Sequence, residues 1–372
     1  MRICLYIPCR NGEATLPEVF AAVRGQTRAP DVFLLVNDQS TDATVALATA
    51  AGCRVVHTTP QHSGLSAGRN LAVTVAHEAG CDVIAGIDAD AVPAPNYLQF
   101  MDSFYAERTD IVGTCGNMRE RFADTPADQW RAVFMRQHWG DQSVLNPPIL
   151  FGSSAAHRVA VLRSMGGFNE SLRTNFEDTD LTQRLLHAGH KLAYVPTLVS
   201  EHLKRDTPDS VLKMFWGWYL PPADLAGQMR DINTWLAHRL PWIWHDYRGR
   251  ALGHASMPRL TAITMALPWV QVLRDLHLLA HRAGVAVDLR SIVETAATIH
   301  ASHGFDKPFI QWLDTRLQFV LAQCGADAGE PLHPQVVEAV RGLASQSIPH
   351  RSYWNDLDVS VRELTASAGG PA

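Results

Sequence analysis

The sequence predicts an α/β fold: a mainly parallel sheet with helices on both faces, followed by a mostly α-helical C-terminal region. Three observations carry this expectation. Short apolar runs alternate with helical patterns over residues 2 to 120, as parallel strands joined by crossover helices do. Two of the runs end in aspartate, Asp38 and Asp88, where open α/β sheets keep their ligand crevice. None of the ten tryptophans precedes residue 130 and eight follow residue 215, so the composition changes along the chain.

Ile3 to Ile7 reads as a buried strand, followed by a helix from about Glu13 to Arg24. Val32 to Val36 is a second strand, and Asn37-Asp38-Gln39-Ser40-Thr41-Asp42 supplies N-caps for a helix over Ala43 to Ala51. Arg54 to His57 is a strand, Ser66 to Glu78 a helix, and Val83 to Ile87 a strand. Beyond Asp110 the pattern loosens: Gly113 to Met118 as a strand, Asn146-Pro147-Pro148 as a loop, Arg158 to Met165 as a short helix. Glu177 to His187 is helical and closed by Gly189. Lys191 to Val195 is a late strand stopped by Pro196. Past Thr207, Phe215 to Pro222 opens a Trp-rich part in which 223–239, 260–282, 288–303 and 308–323 read as helices. The expected organisation is 1–205 as the ligand-binding and catalytic domain, 206–365 as a helical region on the acceptor side or for association, and 366–372 as a disordered tail.

With 372 residues, 47% hydrophobic and 19% charged, the chain can bury a sizeable core. A net charge of -5 gives no basic footprint for nucleic acid. The six cysteines lack C-x-x-C spacing, which favours a reducing compartment over a disulfide framework. The N-terminal apolar run is short for a signal peptide, and Ala262 to Leu273, broken by Pro268, is short for a membrane span. The expectation is a cytoplasmic protein; peripheral contact at the inner face of the membrane and a homodimer stay open.

Four segments carry the chemistry. Pro8-Cys9-Arg10-Asn11-Gly12-Glu13 is either an ordinary strand-to-helix loop or a pocket floor, with Arg10 for phosphate and Glu13 fixing the loop. Asp38 at a strand end can accept from a base or a ribose hydroxyl. Ser63 to Asn70 brings small residues and Arg69 to a helix start, where an anion or base edge can approach. Asp88-Ala89-Asp90 places two carboxylates on one face of a strand end, a pattern suited to a hard cation such as Mg²⁺ or Mn²⁺ and the phosphates it carries.

In this order, Pro8/Asn11, Asp38/Ser40/Asp42, Ala67/Arg69/Asn70 and Asp88/Asp90 resemble the family-2 glycosyltransferases of the GT-A fold over residues 2 to 205. Phe151 to Arg158, Gly166-Gly167-Phe168-Asn169-Glu170 and Phe176-Glu177-Asp178-Thr179-Asp180-Leu181 extend the resemblance. It implies a nucleotide-sugar donor, a UDP-sugar first, and a glycan, lipid-linked or protein acceptor. It further implies that Asp38 and Arg69 contact the nucleobase, Asp88 the ribose or metal, and Asp90 the metal-diphosphate. Asp178 is then the general base of a metal-dependent, inverting transfer, and His202 a further metal ligand. Pro8, Arg10, Glu13, Gly152 and Glu177 complete the expected donor site. Two departures matter: Thr182 to Leu186 stands where processive synthases carry Gln-x-x-Arg-Trp, and Cys9 and Arg10 replace the usual residues beside Pro8. A nucleotidyltransferase would need a Gly-rich, basic loop after the first strand, and Gly12 alone does not make one. A non-catalytic sugar-binding protein on the same fold is the other alternative, and the intact Asp88, Asp90 and Asp178 speak against it. His277 and His281 share a helix face but lack the Glu and Cys of a zinc site. The stretch from Trp235 to Trp244 reads as core first and as a sugar platform second.

Overall fold

A computed structural model describes residues 1–231, 234–253 and 260–283. The expected helices at 288–303 and 308–323 and the tail lie outside them. The chain divides into two compact units: Met1–Phe122 with Phe134–Arg205, and Ala123–Val133 with Asp206–Ala372.

The first unit is built on one mixed sheet. Its strands are β1 (Ile3–Cys9), β2 (Val32–Asn37), β3 (Arg54–His57), β4 (Val83–Gly86), β5 (Ala91–Pro93), β6 (Ile111–Glu120), β7 (Val144–Leu145), β8 (Ala155–Arg158) and β9 (Lys191–His202). They lie in the order β3-β2-β1-β4-β8-β6-β9-β5, with β7 also on β9. The β3-β2-β1-β4 half is parallel throughout, so its carboxyl ends, and with them Asp38 and Asp88, open on one side. β8 enters antiparallel between β4 and β6. That brings the turn before it, Gly152–Ser154, against the end of β4, where Asp88 donates its amide to the Ser153 carbonyl (3.2 Å).

The helices are α1 (Leu16–Arg24), α2 (Thr44–Ala50), α3 (Leu65–Glu78), α4 (Tyr97–Glu107), α6 (Val159–Ser164) and α7 (Glu177–His187), with α5 (Pro126–Phe134) falling almost wholly in the second unit. Strand alternation splits the core in two. Ile3, Leu5 and Ile7 of β1 pack with Leu16, Val19 and Phe20 of α1 and Leu98 and Met101 of α4. Cys4 and Tyr6 face the other way, onto Ala72, Val73 and Ala76 of α3 and Leu181 and Leu185 of α7.

Pro196 does not end the last strand, as the sequence had suggested. β9 runs on to His202, because the β6–β9 register jumps from Cys115–Tyr194 to Asn117–Val199. Pro196 sits in that bulge, where no ladder amide is needed. Opposite it, a side chain on Gly116 would collide with Leu198. The continued strand is what delivers His202 to Asp90.

In the second unit, α8 (Pro208–Leu225) takes in Phe215 to Pro222, and its start is secured by a capping box between Thr207 and Ser210. The helix expected over 223–239 is interrupted at Gly227, which has φ +71°. A π-helical turn (Trp235–Arg239), α9 (Leu240–Gly253) and α10 (Thr261–Ala283) follow. No helix among the described residues is long and apolar enough to cross a membrane. The side chains of Trp244, His277 and His281 lie outside the described set. Trp235 is fully buried and donates its indole N–H to Asp275 (3.1 Å), so it belongs to the core.

Candidate active site

The site collects at the carboxyl end of the parallel strands. The loops after β1 and β2 are laced together: the Asn11 amide donates to Ser40 Oγ (2.9 Å), Thr41 to Asn11 Oδ1 (2.8 Å) and Gly12 to Thr44 Oγ1 (2.8 Å). Glu13 is part of this lacing. Its amide donates to Asp42 and its carboxylate accepts from the Ala43 amide at the start of α2, both at 3.0 Å. Arg10 projects from the same loop, exposed, and Pro8 pairs with Val36 two residues beyond the last β1–β4 rung. Asp38 accepts from the Thr58 hydroxyl (2.6 Å) and the Gly64 amide (3.2 Å). It therefore ties the β3–α3 loop to β2 while staying half-buried.

Arg69, expected from the resemblance to contact the nucleobase, is turned into the interior. Its guanidinium is buried, donating Nη1–H to the Tyr6 hydroxyl and the Gly152 carbonyl, both at 3.0 Å. Nε lies 3.4 Å from Glu177 and Nη2 3.8 Å from Asp88. First-turn placement on α3 aims the side chain inward, because α3 packs on the β1 face that carries Tyr6. Gly86 makes this possible: a Cβ there would come within 2.8 Å of the Tyr6 ring. Arg69 thus joins Asp88, past the end of β4, to Glu177 at the start of α7.

Gly152 is the hinge between those sides. Its amide donates to Asp178 Oδ2 (2.9 Å) and its carbonyl accepts from Arg69. A Cβ would lie 2.7 Å from Arg69 Nη2 and 3.3 Å from Asp178 Cβ, so a side chain here would push the guanidinium out of place. Asp178 Oδ1 accepts from the Thr179 amide (2.6 Å). The Thr179 hydroxyl also donates to Oδ1 (3.2 Å), so Oδ2, held by the Gly152 amide alone, is the oxygen that keeps a lone pair free. The turn that presents this residue is strained: Phe176, with φ +73°, occupies left-handed space that bulky residues avoid. Asn70 anchors the neighbouring Gly-Gly-Phe turn, donating to the Phe168 carbonyl (2.9 Å) and accepting from the Phe168 amide (2.7 Å).

Negative charge dominates the pocket. Burial raises the Asp88 carboxyl; Arg69 opposes this, and Asp90 and Asp178 add to it. Burial likewise pushes Glu177 up to about 7 against the pull of Arg69. Asp90 is held below the usual range, burial being outweighed by His202. His202 Nε2 lies 3.4 Å from Asp90 and Nδ1 2.9 Å from Glu120. Burial lowers the imidazole, but the two carboxylates overcome it and raise it to about 9.

The donor set fits a hard divalent cation. Asp88 and Asp90 are 37% and 30% exposed, carry like charge and face open space. His202 has its Nδ1 oriented by a carboxylate, as metal-ligating histidines do. To ligate, Nε2 must release the proton it shares with Asp90. Among the described residues no group of three or more His, Cys, Asp or Glu side chains is already placed to hold a metal ion, so the pair Asp88 and Asp90 would need ligands from outside the protein. Such a cation would complete its shell with substrate oxygens.

Tyr6 and Glu120 were absent from the sequence reading. A tyrosine inside a buried strand is itself a signal, since its hydroxyl needs a partner. Glu120 is 82 residues from His202, and nothing local marks it.

The family model described as Glycosyl transferase family 2 matches residues 4–163. Over 263 residues, covering 67% of this chain and 76% of the relative, the sequence is 26% identical to the O-antigen chain rhamnosyltransferase RfbN of Salmonella typhimurium strain LT2. Among solved structures, S. aureus TarS 1-349 in complex with UDP-GlcNAc aligns with a TM-score of 0.47 at 14% identity, covering 77% of this chain and 93% of that one. Mannosyltransferase PcManGT from Pyrobaculum calidifontis, in complex with GDP-Man and Mn²⁺, aligns at 0.44 and 16%, covering 98% and 86%.

Proposed function

We propose, from the match of residues 4–163 to the Glycosyl transferase family 2 model, a metal-dependent, inverting transfer of a single sugar. The donor is a nucleotide-sugar, a UDP-sugar first, carrying a hexose or deoxyhexose; the similarity to a rhamnosyltransferase supports the latter. The acceptor is a hydroxyl of a glycan, lipid-linked glycan or protein, within polysaccharide biosynthesis. One observation carries this reading: Arg69 and Gly152 couple Asp88 to Asp178 inside one pocket.

Asp38 and the loop it ties down form the base and ribose side. Asp88, Asp90 and His202 would hold Mn²⁺ or Mg²⁺, which supplies charge neutralisation at the donor diphosphate. Asp178 takes the proton of the acceptor hydroxyl as its oxygen bonds to the anomeric carbon and the bond to the diphosphate breaks. Attack from the face opposite the leaving group inverts that carbon. Arg69 acts through its neighbours as a positioning residue. The five buried free thiols among the described residues support a cytoplasmic setting.

A panel of UDP-, GDP- and dTDP-sugars with Mn²⁺ or Mg²⁺, read by thermal shift and nucleoside diphosphate release, tests the proposal. Stabilisation by at least one nucleoside diphosphate that requires the cation is expected. No stabilisation by any of them sinks it, and retained anomeric configuration in the product by NMR removes the inverting part.

A further inference from the structure

Trp139 is the one exposed tryptophan among the described side chains, with 36% of its surface open. The indole is nevertheless held. Its N–H donates to the Ile149 carbonyl (3.0 Å), and its ring lies against Phe151 with centroids 5.5 Å apart and planes tilted by 32°. The segment around it has no regular structure but is braced. The Tyr194 hydroxyl donates to the Gly140 carbonyl (2.6 Å), and the Gly140 amide donates to His138 Nδ1 (3.1 Å).

The strip on which the indole stands runs along the base helix. The Thr182 hydroxyl of α7 accepts from the Leu150 amide (3.0 Å) and donates to the Asp178 carbonyl (2.7 Å). Two residues on, the Gly152 amide holds the Asp178 carboxylate. Trp139 touches this strip at Ile149 and Phe151, so it sits one ring pair and one peptide from the Asp178 contact. Arg136, Asp141, Gln142 and Ser143 around it in sequence are all exposed. A fixed aromatic face with polar side chains beside it matches a pyranose, which offers C–H bonds on one face and hydroxyls at its rim.

We infer that Trp139 forms an acceptor subsite that stacks the sugar ring next to the one whose hydroxyl Asp178 deprotonates. The acceptor is accordingly a glycan of at least two sugar residues. This rests on the transferase reading above and narrows its acceptor class.

The test uses the full chain labelled with 5-fluorotryptophan, the Trp139 resonance being assigned by its loss in Trp139→Phe. With UDP and Mn²⁺ present, the protein is titrated with methyl glycosides of rhamnose, mannose, glucose and galactose, their α- and β-linked disaccharides, and octyl glycosides. At least one disaccharide shifts the Trp139 signal and binds about tenfold tighter than its monosaccharide, the scale of one aromatic hot spot. Trp139→Ala loses that advantage, Trp139→Phe keeps it, and both retain the wild-type thermal shift with UDP and Mn²⁺. A Trp139 signal that no disaccharide moves, or unchanged disaccharide affinity in Trp139→Ala, overturns the inference. So do octyl glycosides that move the signal as far as disaccharides do, since the occupant is then an aliphatic chain. A silent Trp139 in a protein stabilised by nucleoside diphosphate removes the subsite alone; absence of any nucleotide stabilisation removes the transferase reading itself.

Discussion

Both units bury arginine against carboxylate, but they leave the carboxylates in different states. In the second unit Asp275 is fully buried and accepts from the Trp216 and Trp235 indoles and from Arg239, at 2.9, 3.1 and 2.8 Å. Asp206 is equally sealed, with Arg131, Ser210 and no open face. In the first unit Arg69 is just as buried, yet Asp88 and Asp90 remain about one-third open and crowd one another. Sealed carboxylates with both oxygens occupied hold helices together. Open charge in excess is destabilising by itself, and the proposed cation would relieve it. The chemistry of the side chains is the same; access and saturation separate assembly from function.

That contrast has measurable consequences. Asp178→Asn should cut transfer by about 10²–10⁴-fold, the range for losing a general base. Its thermal shift with nucleoside diphosphate and cation should stay at the wild-type value; equal turnover would remove Asp178 as the base. Asp275→Ala should lower the unfolding free energy by about 3–5 kcal/mol, because Arg239 is left buried without its partner. Guanidinium denaturation of the full chain measures this, and a loss below 1 kcal/mol would mean the sealed cluster contributes little. Asp88→Asn should do the opposite in cation-free buffer, leaving stability unchanged or higher while abolishing cation-dependent stabilisation. A clear destabilisation without cation would place Asp88 with the sealed group.

The smallest effect is on pH dependence. Glu177 titrates near 7 in the folded chain, above its ordinary 4.5. Between those values the native state keeps a proton that the unfolded state has lost. Stability therefore falls as pH rises from about 4.5 to 7. Glu177→Gln should flatten that interval in denaturation midpoints measured without cation; an unchanged slope would assign it to other groups.

Much of the first unit could be read locally. The β1 to β4 strands and α1 to α3 follow from apolar period and turn chemistry, with boundaries shifting by one to three residues. Glu177–His187 was read at its observed ends, since acidic residues open it and glycine follows it. Strand β9 was cut short, because proline is a stop signal only where a ladder amide is required, and the bulge at Pro196 is a property of the partner strand. The helix through Phe215 to Pro222 was missed for a related reason: aromatic and proline-rich segments have weak helical signatures, and packing of Phe215 in the core decides them.

The sequence by itself determined which groups the protein possesses and their order: aspartates at strand ends, small residues where backbone approaches, a carboxylate pair opening a helix. Those depend on neighbours a few residues apart, so they are written in local pattern. Only the tertiary structure decided what each group faces. It turned Arg69 inward onto Tyr6, Gly152 and two carboxylates, gave His202 a second carboxylate at Glu120, and left Trp139 open against Phe151. Several of those outcomes depend on contacts between residues about sixty to eighty apart, and on desolvation, which no single segment possesses before the chain has packed.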